Sequence, residues 1–487
     1  MAPLKDIEKS LEKLEKELKT REKEQAMLIK SCFGRQQTSA KNLIHYLALR
    51  NIDIRDLQEK LHEAGLSSLA SSESHILRQI QAIRERLGIK YLKSELSICN
   101  YTNAKKIIHD KSELLFGPKN QNQIPFIMVT MDSANVGDDG FIKKLLMNGM
   151  NVARINCAHD DEKTWLQIIE TVRKVSSEHK FGCKIYMDLA GPKIRTHLSH
   201  AGKEKGKTTV RPGDHVWLTE KKVKFKKYDI VVNPNEKEII KSLKVGERVF
   251  FDDGLIEGSV DTVFPEKIRV NITRVSGQKT KLKTGKGINF PDSVLDIASL
   301  TDFDIKCLPF IVRHSDMIGY SFVRTPADVL NLHKAIQSLG MKKPNIILKI
   351  ETPEAVINLP SLLFAGMQEK VFGIMIARGD LAVEIGFERM GEIQEEILWI
   401  CEAAHTPVIW ATQVLESMHK SGMATRSEIT DAAHAAMAEC VMINKGDYTV
   451  EVIETLKEIL FRMGGHHVKK RHIFRPLNIA GHFFVQS

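Results

Sequence analysis

From Pro125 onward the sequence alternates short apolar runs with amphipathic stretches, and this happens eight times. The runs are PFIMVTM from 125, MNVARIN from 150, CKIYMDL from 183, SDMIGYSFV from 315, NIILKIE from 345, VFGIMIARGD from 371, PVIWATQ from 407 and ECVMINK from 439. All but the third lead directly into helical spacing, for instance over 163–177, 327–339 and 450–463. Strands joined by crossover helices pair in parallel and are buried on both faces, so they read as continuous apolar runs. Eight such units favour a (β/α)8 TIM barrel over an open doubly wound sheet. No GxGxxG or GxxxxGK[ST] follows any run, which counts against a Rossmann or P-loop site.

Two segments break the pattern. Between the third and fourth runs lie RPGDHVWL, DIVVN, ERVFFDDG, GSVDTVF and KIRVNITRV, short turn-bounded strands without helices. They imply a small β-barrel domain inserted as a lid. The first ninety residues read as helices, with stretches at 40–50, 54–64 and 73–87. The expected division is therefore a helical region over 1–120, the barrel over 121–196 and 297–465, the insert over 197–296, and a tail over 466–487. In the first helix, Leu4, Ile7, Leu11, Leu14 and Leu18 form an apolar seam about two heptads long, short of the ~3–4 that mark a coiled coil. It leaves open either a helix lying on its own protein or a homo-oligomer contact. His45, His62 and His75 lack metal-ligand spacing.

The net charge of +10 is concentrated in 203–227, 279–286 and 469–475. Such patches suit anionic ligands. With no recognisable nucleic-acid motif and few interleaved aromatics, they read as solvated faces, and no nucleic-acid partner is expected. Seven cysteines without a CxxC fit reduced thiols. No apolar leader or bilayer-length run is present, so the expectation is a cytoplasmic protein without a membrane partner.

Catalytic residues of a barrel sit at the C-terminal ends of its strands. Those ends carry Arg154 and Asn156, Asp188 with Lys193 and Arg195 beyond it, Ser321 and Arg324, Lys349 and Glu351, Arg378 and Asp380, and Thr412 with Gln413. A ring of cations around a few carboxylates suits a multiply anionic substrate held beside a hard divalent cation, for which two carboxylates suffice.

Several of these stretches closely resemble the pyruvate kinase family: ARINCAH at 153–159, MDLAGPKIRT at 187–196, FDDG at 251–254, IILKIETPEAV at 346–356, MIARGDLAVEI at 375–385, and ATQVLESM with TRSEITDAAHA within 411–435. The resemblance covers roughly 124–460. It implies transfer of a phosphoryl group from phosphoenolpyruvate to ADP, giving pyruvate and ATP. Position by position, it makes Lys349, Arg154 and Thr412 catalytic. Ala377, Arg378, Gly379 and Asp380 would help bind the substrate, and Asn156, His159 and Arg195 would line the nucleotide side. Glu351 and Asp380 would ligate Mg²⁺ or Mn²⁺.

Departures from the family pattern carry their own expectations. Ala158 and Leu189 replace oxygen ligands of the potassium-dependent members and Lys193 replaces a Glu, so K⁺ is not expected to be required. TMDSAN at 130–135 and Asp160 and Asp161 alter the nucleotide side, where the acids either repel phosphates or cap the next helix. MINKGDY at 442–448 lacks a longer insert, and the C-terminal regulatory domain is not expected. Enolpyruvate or pyruvate lyase chemistry at the same metal site, or a scaffold acting through the N-terminal helices, are the alternatives.

Overall fold

In the computed structural model, which describes residues 2–119, 124–200, 203–204, 206–221, 223–277, 280–468 and 471–472, the eight apolar runs form a closed parallel barrel. Its strands are β1 (Phe126–Met131), β2 (Met150–Asn156), β3 (Lys184–Asp188), β4 (Met317–Tyr320), β5 (Asn345–Ile350), β6 (Phe372–Ala377), β7 (Val408–Ala411) and β8 (Cys440–Ile443). Closure comes where β1 pairs β8, Phe126 opposite Cys440. Register matters at the other end of the strands: Asn156 lies opposite Asp188, and Lys349 opposite Met375. The charged residues of neighbouring strands therefore surface together.

Besides a short helix at Ala26–Ser31, five longer N-terminal helices precede the barrel among the described residues: α1 (Ala2–Glu24), α2 (Gln37–Arg50), α3 (Arg55–Glu63), α4 (Ile76–Arg86) and α5 (Tyr101–Phe116). The seam of α1 is covered by its own chain, because Ile7, Leu11, Leu14 and Leu18 are buried in a core shared with α2 and α4. Leu4 stays exposed. Asn42 on α2 ties this region to the barrel by donating to the carbonyls of Glu73 and Ala403, both at 2.8 Å.

The last helix of the expected 1–120 helical region, α5, lies beyond the stretches picked out at 40–50, 54–64 and 73–87. Asn100 caps its start by accepting from the Asn103 amide at 2.9 Å, and Gly117 at φ +91° ends it. Its last residues, Leu115 and Phe116, enter the cluster of barrel-interior side chains that includes Phe126, Val152, Tyr186, Ile347 and Met375. The Phe116 and Phe126 rings lie 5.2 Å apart. The helix thus plugs the N-terminal mouth, leaving the C-terminal mouth as the open end.

The barrel helices are α6 (Asp139–Met147), α7 (Glu162–Glu178), α8 (Asp302–His314), α9 (Pro326–Gln337), α10 (Leu359–Gly366), α11 (Arg378–Ile385), α12 (Met390–Ala403), α13 (Arg426–His434) and α14 (Thr449–Gly464); α6, α7, α9, α12, α13 and α14 follow expectation to within a few residues, whereas α8 and α11 were not expected. Short helices at Pro353–Ile357 and Glu416–Ser421 add to the fifth and seventh units.

The insert is all β except for one turn of helix at Ile239–Ser242. Eight strands between Thr196 and Asn289 form one mostly antiparallel sheet, and Lys207–Thr209 pairs separately with Lys281–Lys283. Alternating residues such as Val216, Leu218, Ile268, Val270 and Ile272 face a core of their own. The expected small barrel is, among the described residues, a sheet with two ends. Its terminal strands, Lys203–Glu204 and Ile288–Asn289, are two residues each and pair on one side only.

Candidate active site

The open mouth holds a compact ion cluster. Arg154, near the end of β2, donates from Nε to Asp188 Oδ2 at 2.7 Å, and its Nη2 lies 2.6 Å from the same oxygen. Its Nη1 donates to Thr130 Oγ1 at 2.9 Å. Lys349 Nζ donates to Ser321 Oγ at 2.8 Å and lies 3.1 Å from Glu351 Oε1 and 3.7 Å from Asp188 Oδ1. Ser321 in turn donates to the Leu189 carbonyl, and Glu351 Oε2 accepts from the Phe322 amide at 2.6 Å. Beside them Lys193 Nζ lies 2.7 Å from Asp380 Oδ1 and 3.6 Å from Asp253 Oδ1 of the insert.

Glycines make room for this cluster. A Cβ on Gly319 of β4 would collide with Tyr186 and Asp188, whose hydroxyl and carboxylate are hydrogen-bonded. Gly191 turns the chain at φ +66° with Ser321 and Phe322 against it, and a side chain there would sit 2.8 Å from both. Asp304 at the start of α8 accepts from the Ala190 amide at 2.9 Å and holds the same turn.

Burial and neighbouring charges compete in setting protonation. Burial alone would raise Asp188, but Lys349 and Arg154 reverse it and hold the carboxyl below its usual range. Burial would lower Lys349, but Asp188 and Glu351 reverse that too, so the ammonium is secured. Glu351 is raised, first by burial and then by Asp380, despite Lys349. Lys193 is raised because Asp380 and Asp253 outweigh its burial.

Cations Arg154, Lys349 and Lys193 thus balance Asp188, Glu351 and Asp380. Among the described residues no group of three metal-binding side chains occurs. Two carboxylates, one of them raised by the charge of the other, fit a divalent cation that completes its shell with substrate and water. An incoming anion would also leave the balanced cluster negative, which a divalent cation corrects.

The remaining expected residues fall into three groups. Thr412 follows β7 at φ +67°, with Gln413 at +55° and Leu415 at +52°. A β-branched residue in this region costs of order 1–3 kcal/mol and persists only where its surroundings hold it. Its Oγ1 accepts from the Gly379 amide at 2.8 Å. Ala377 and Gly379 flank the start of α11, and Asp380 lies in its first turn. Arg378 differs from expectation. Its guanidinium points to the next strand end, donating to the Ala411 and Thr412 carbonyls at 3.0 and 2.5 Å and pairing with Asp431.

Asn156, His159 and Arg195 lie on another side. Asn156 Oδ1 accepts from the Ala158 amide at 3.1 Å, and the His159 carbonyl accepts from Trp165 Nε1 at 2.8 Å. Burial, with Lys445 and Arg195 nearby, lowers the His159 pKa and keeps the ring neutral at pH 7. Arg195 reaches into the insert, donating to the Gly285 carbonyl at 3.1 Å. A cleft of about 580 Å³ lined by Ala158, Gly191, Lys193 and Arg195 opens between barrel and insert. Asp161 caps α7 by accepting from the Thr164 amide at 2.9 Å, and Asp132 pairs with Lys445 at 2.7 Å. Of the two acids expected either to repel phosphates or to cap the next helix, Asp161 caps the helix.

Sequence reasoning placed Asp188 and Ser321 on the rim without giving them a role, and it missed Asp431 and Glu384. Glu384, on α11 one turn after Asp380, accepts from Asn289 of the insert at 2.7 Å. Burial pushes its carboxyl up to about 7. Residues 123–453 match the family model described as pyruvate kinase, barrel domain. Proteins named pyruvate kinase from Staphylococcus saprophyticus, Geobacillus stearothermophilus and Bacillus licheniformis are 33%, 32% and 32% identical to this chain. The matches cover 68%, 69% and 66% of this chain and 56%, 56% and 54% of those proteins, so the chain spans a little over half the length of these curated relatives. With the closed barrel and its rim matched along the same residues, the chain belongs to the pyruvate kinase family.

Proposed function

We propose that this protein transfers the phosphoryl group of phosphoenolpyruvate to ADP, giving pyruvate and ATP. The observation that carries the reading is Lys349: a buried, secured ammonium at the open mouth, braced by Ser321, Glu351 and Asp188. Phosphoryl transfer through a loose transition state leaves the protein chiefly positioning and charge stabilisation. Lys349 supplies that charge on the phosphoryl oxygens in flight, and Arg154, fixed by Asp188 and Thr130, supports it. Glu351 and Asp380 would hold a divalent cation, Mg²⁺ or Mn²⁺, which would supply positive charge to the substrate oxygens.

The Ala377–Asp380 turn and Thr412 hold the carboxylate and the carbon that becomes the methyl group. The Gly379 amide donates to one lone pair of the Thr412 hydroxyl, which keeps its own proton to donate. A hydroxyl is a weak acid, so the proton reaches the enolate through water. The Asn156, His159 and Arg195 side receives the nucleotide in the cleft under the insert, and the insert closes as a lid that excludes water. Lys193 places an ammonium against Asp380 where other members use a monovalent cation, so the activity is K⁺-independent.

Purified protein supplied with phosphoenolpyruvate, ADP and Mg²⁺ should yield pyruvate and ATP in equal amounts. Pyruvate without ATP would replace this reading by hydrolytic or lyase chemistry at the same site. No turnover would remove it.

A further inference from the structure

We infer that Asp431, a residue of α13 outside the reacting centre, is a positioning residue that acts through Arg378 to fix the Thr412 turn. The inference rests on the proposed role of Thr412 beside the enolate. Arg378 is buried and its donors are committed away from the open mouth: Nε to the Ala411 carbonyl, Nη2 to the Thr412 carbonyl, Nη1 to Asp431. Its flat face lies over the buried Trp410 ring, 4.5 Å from the centroid. A guanidinium with three edges engaged and one face stacked is a clamp on the end of β7.

The object of that clamp is the left-handed run at Thr412 and Gln413. Arg378 holds its carbonyl side while the Gly379 amide holds the Thr412 hydroxyl. Asp431 is the one carboxylate paired with Arg378 among the described residues. Without a counter-charge a buried guanidinium is drawn toward water, and the carbonyls it held are released. Asp431 is itself well anchored. The capping box of Thr425 and Glu428 starts α13, and Glu428 also accepts from the Ser417 amide at 2.5 Å, tying α13 to the helix that follows the strained turn. The chain of contacts runs from α13 through Asp431 and Arg378 to the hydroxyl.

The test compares the full-length wild type with Asp431→Asn, which keeps shape and removes charge, and Asp431→Glu, which keeps charge. A catalytic group displaced by about 1 Å costs ~10²-fold, so Asp431→Asn should lose that much kcat with KM for ADP unchanged. Incorporation of solvent deuterium into the methyl group of pyruvate should fall in parallel, and Asp431→Glu should recover at least part of both. A wild-type kcat in Asp431→Asn overturns the inference, as does a loss that appears in KM for ADP alone. If Asp431→Asn melts below the assay temperature, Arg378→Lys carries the same test, since it keeps the charge but cannot hold both carbonyls. If the wild type makes no ATP, the proposed function fails separately. Calorimetry with Mn²⁺ and oxalate, a planar dianion shaped like the enolate, then decides: at least a tenfold weaker Kd in Asp431→Asn is expected, and an unchanged Kd overturns the clamp.

Discussion

Two buried lysines at opposite mouths of the same barrel meet opposite fates. Lys349 at the C-terminal rim lies within 3.7 Å of two carboxylates, and its pKa is raised. Lys111 on α5, by the plugged N-terminal mouth, has, among the described residues, only the hydroxyl of Ser39 as a hydrogen-bond partner, at 3.2 Å, and burial pushes it down to about 7. Burial penalises both ammonium groups, and the difference lies in their partners. One end of the barrel holds charge in a balanced cluster. The other end sheds it.

Lys349→Met gives the largest effect expected from this contrast. Removing a preorganised donor to a developing charge costs ~10²–10³-fold in kcat. Breaking a buried pair by deleting one partner also destabilises, by about 3 kcal/mol. Steady-state rates and urea unfolding should both register the loss. Activity within tenfold of wild type would mean that the rim cluster is structural.

Lys111→Met should move stability the other way. The folded pKa of about 7 lies below the 10.5 of a free lysine, so between those values the unfolded chain binds more protons. Stability of the wild type therefore rises with pH across that window, and the lysine costs most at and below pH 7. The substitution should stabilise by about 2–4 kcal/mol at pH 7 and by progressively less toward pH 10. Catalysis should be unchanged, because the plugged mouth faces away from the substrate. Destabilisation at pH 7 would show that the Lys111 ammonium is paired and would end the contrast.

The contrast also explains which features could be read from the sequence. The barrel strands are legible because parallel strands are apolar throughout, and Lys349, Glu351 and Asp380 stand out because charge ends an apolar run. What connects those residues is not local. Lys349 meets Ser321 across 28 positions, Arg378 meets Asp431 across 53, and Asn289 meets Glu384 across 95. Arg378 sits in the right motif, yet only its rotamer tells that it grips the backbone of the next strand. The bounds of the plug helix α5, inside the expected helical region, are hard to read for a different reason. Its apolar residues Ile107, Ile108, Leu114 and Leu115 are interspersed with lysines, one of which, Lys111, is buried.

Glu384 tests whether the rim is balanced everywhere. Its carboxyl bridges the insert and α11 through Asn289, facing Asp380, Glu354 and Lys193, and stands at about 7 against 4.5 for a free side chain. The folded state thus binds the extra proton between those values, so this group's contribution is full below pH 4.5 and is lost as pH rises through 7. Glu384→Gln should be indistinguishable from wild type near pH 4.5 and more stable by about 2 kcal/mol at pH 8. Parallel unfolding curves at all pH values would place the charge of Glu384 in water and leave the insert unlatched.

The smallest effect expected concerns the monovalent cation. Lys193 bridges Asp380 of the barrel and Asp253 of the insert, and its raised pKa keeps it charged at any pH where the protein works. An ammonium on the chain needs no binding equilibrium, whereas a dissolved ion contributes only as its concentration exceeds its Kd. Ala158 and Leu189 offer no side-chain oxygen beside it. Replacing sodium by potassium at constant ionic strength should therefore leave kcat within about twofold, since no site is being filled. A large potassium activation would mean that the Lys193 ammonium does not stand in for the ion, and that the cluster at the open mouth is balanced only when a cation from solution joins it.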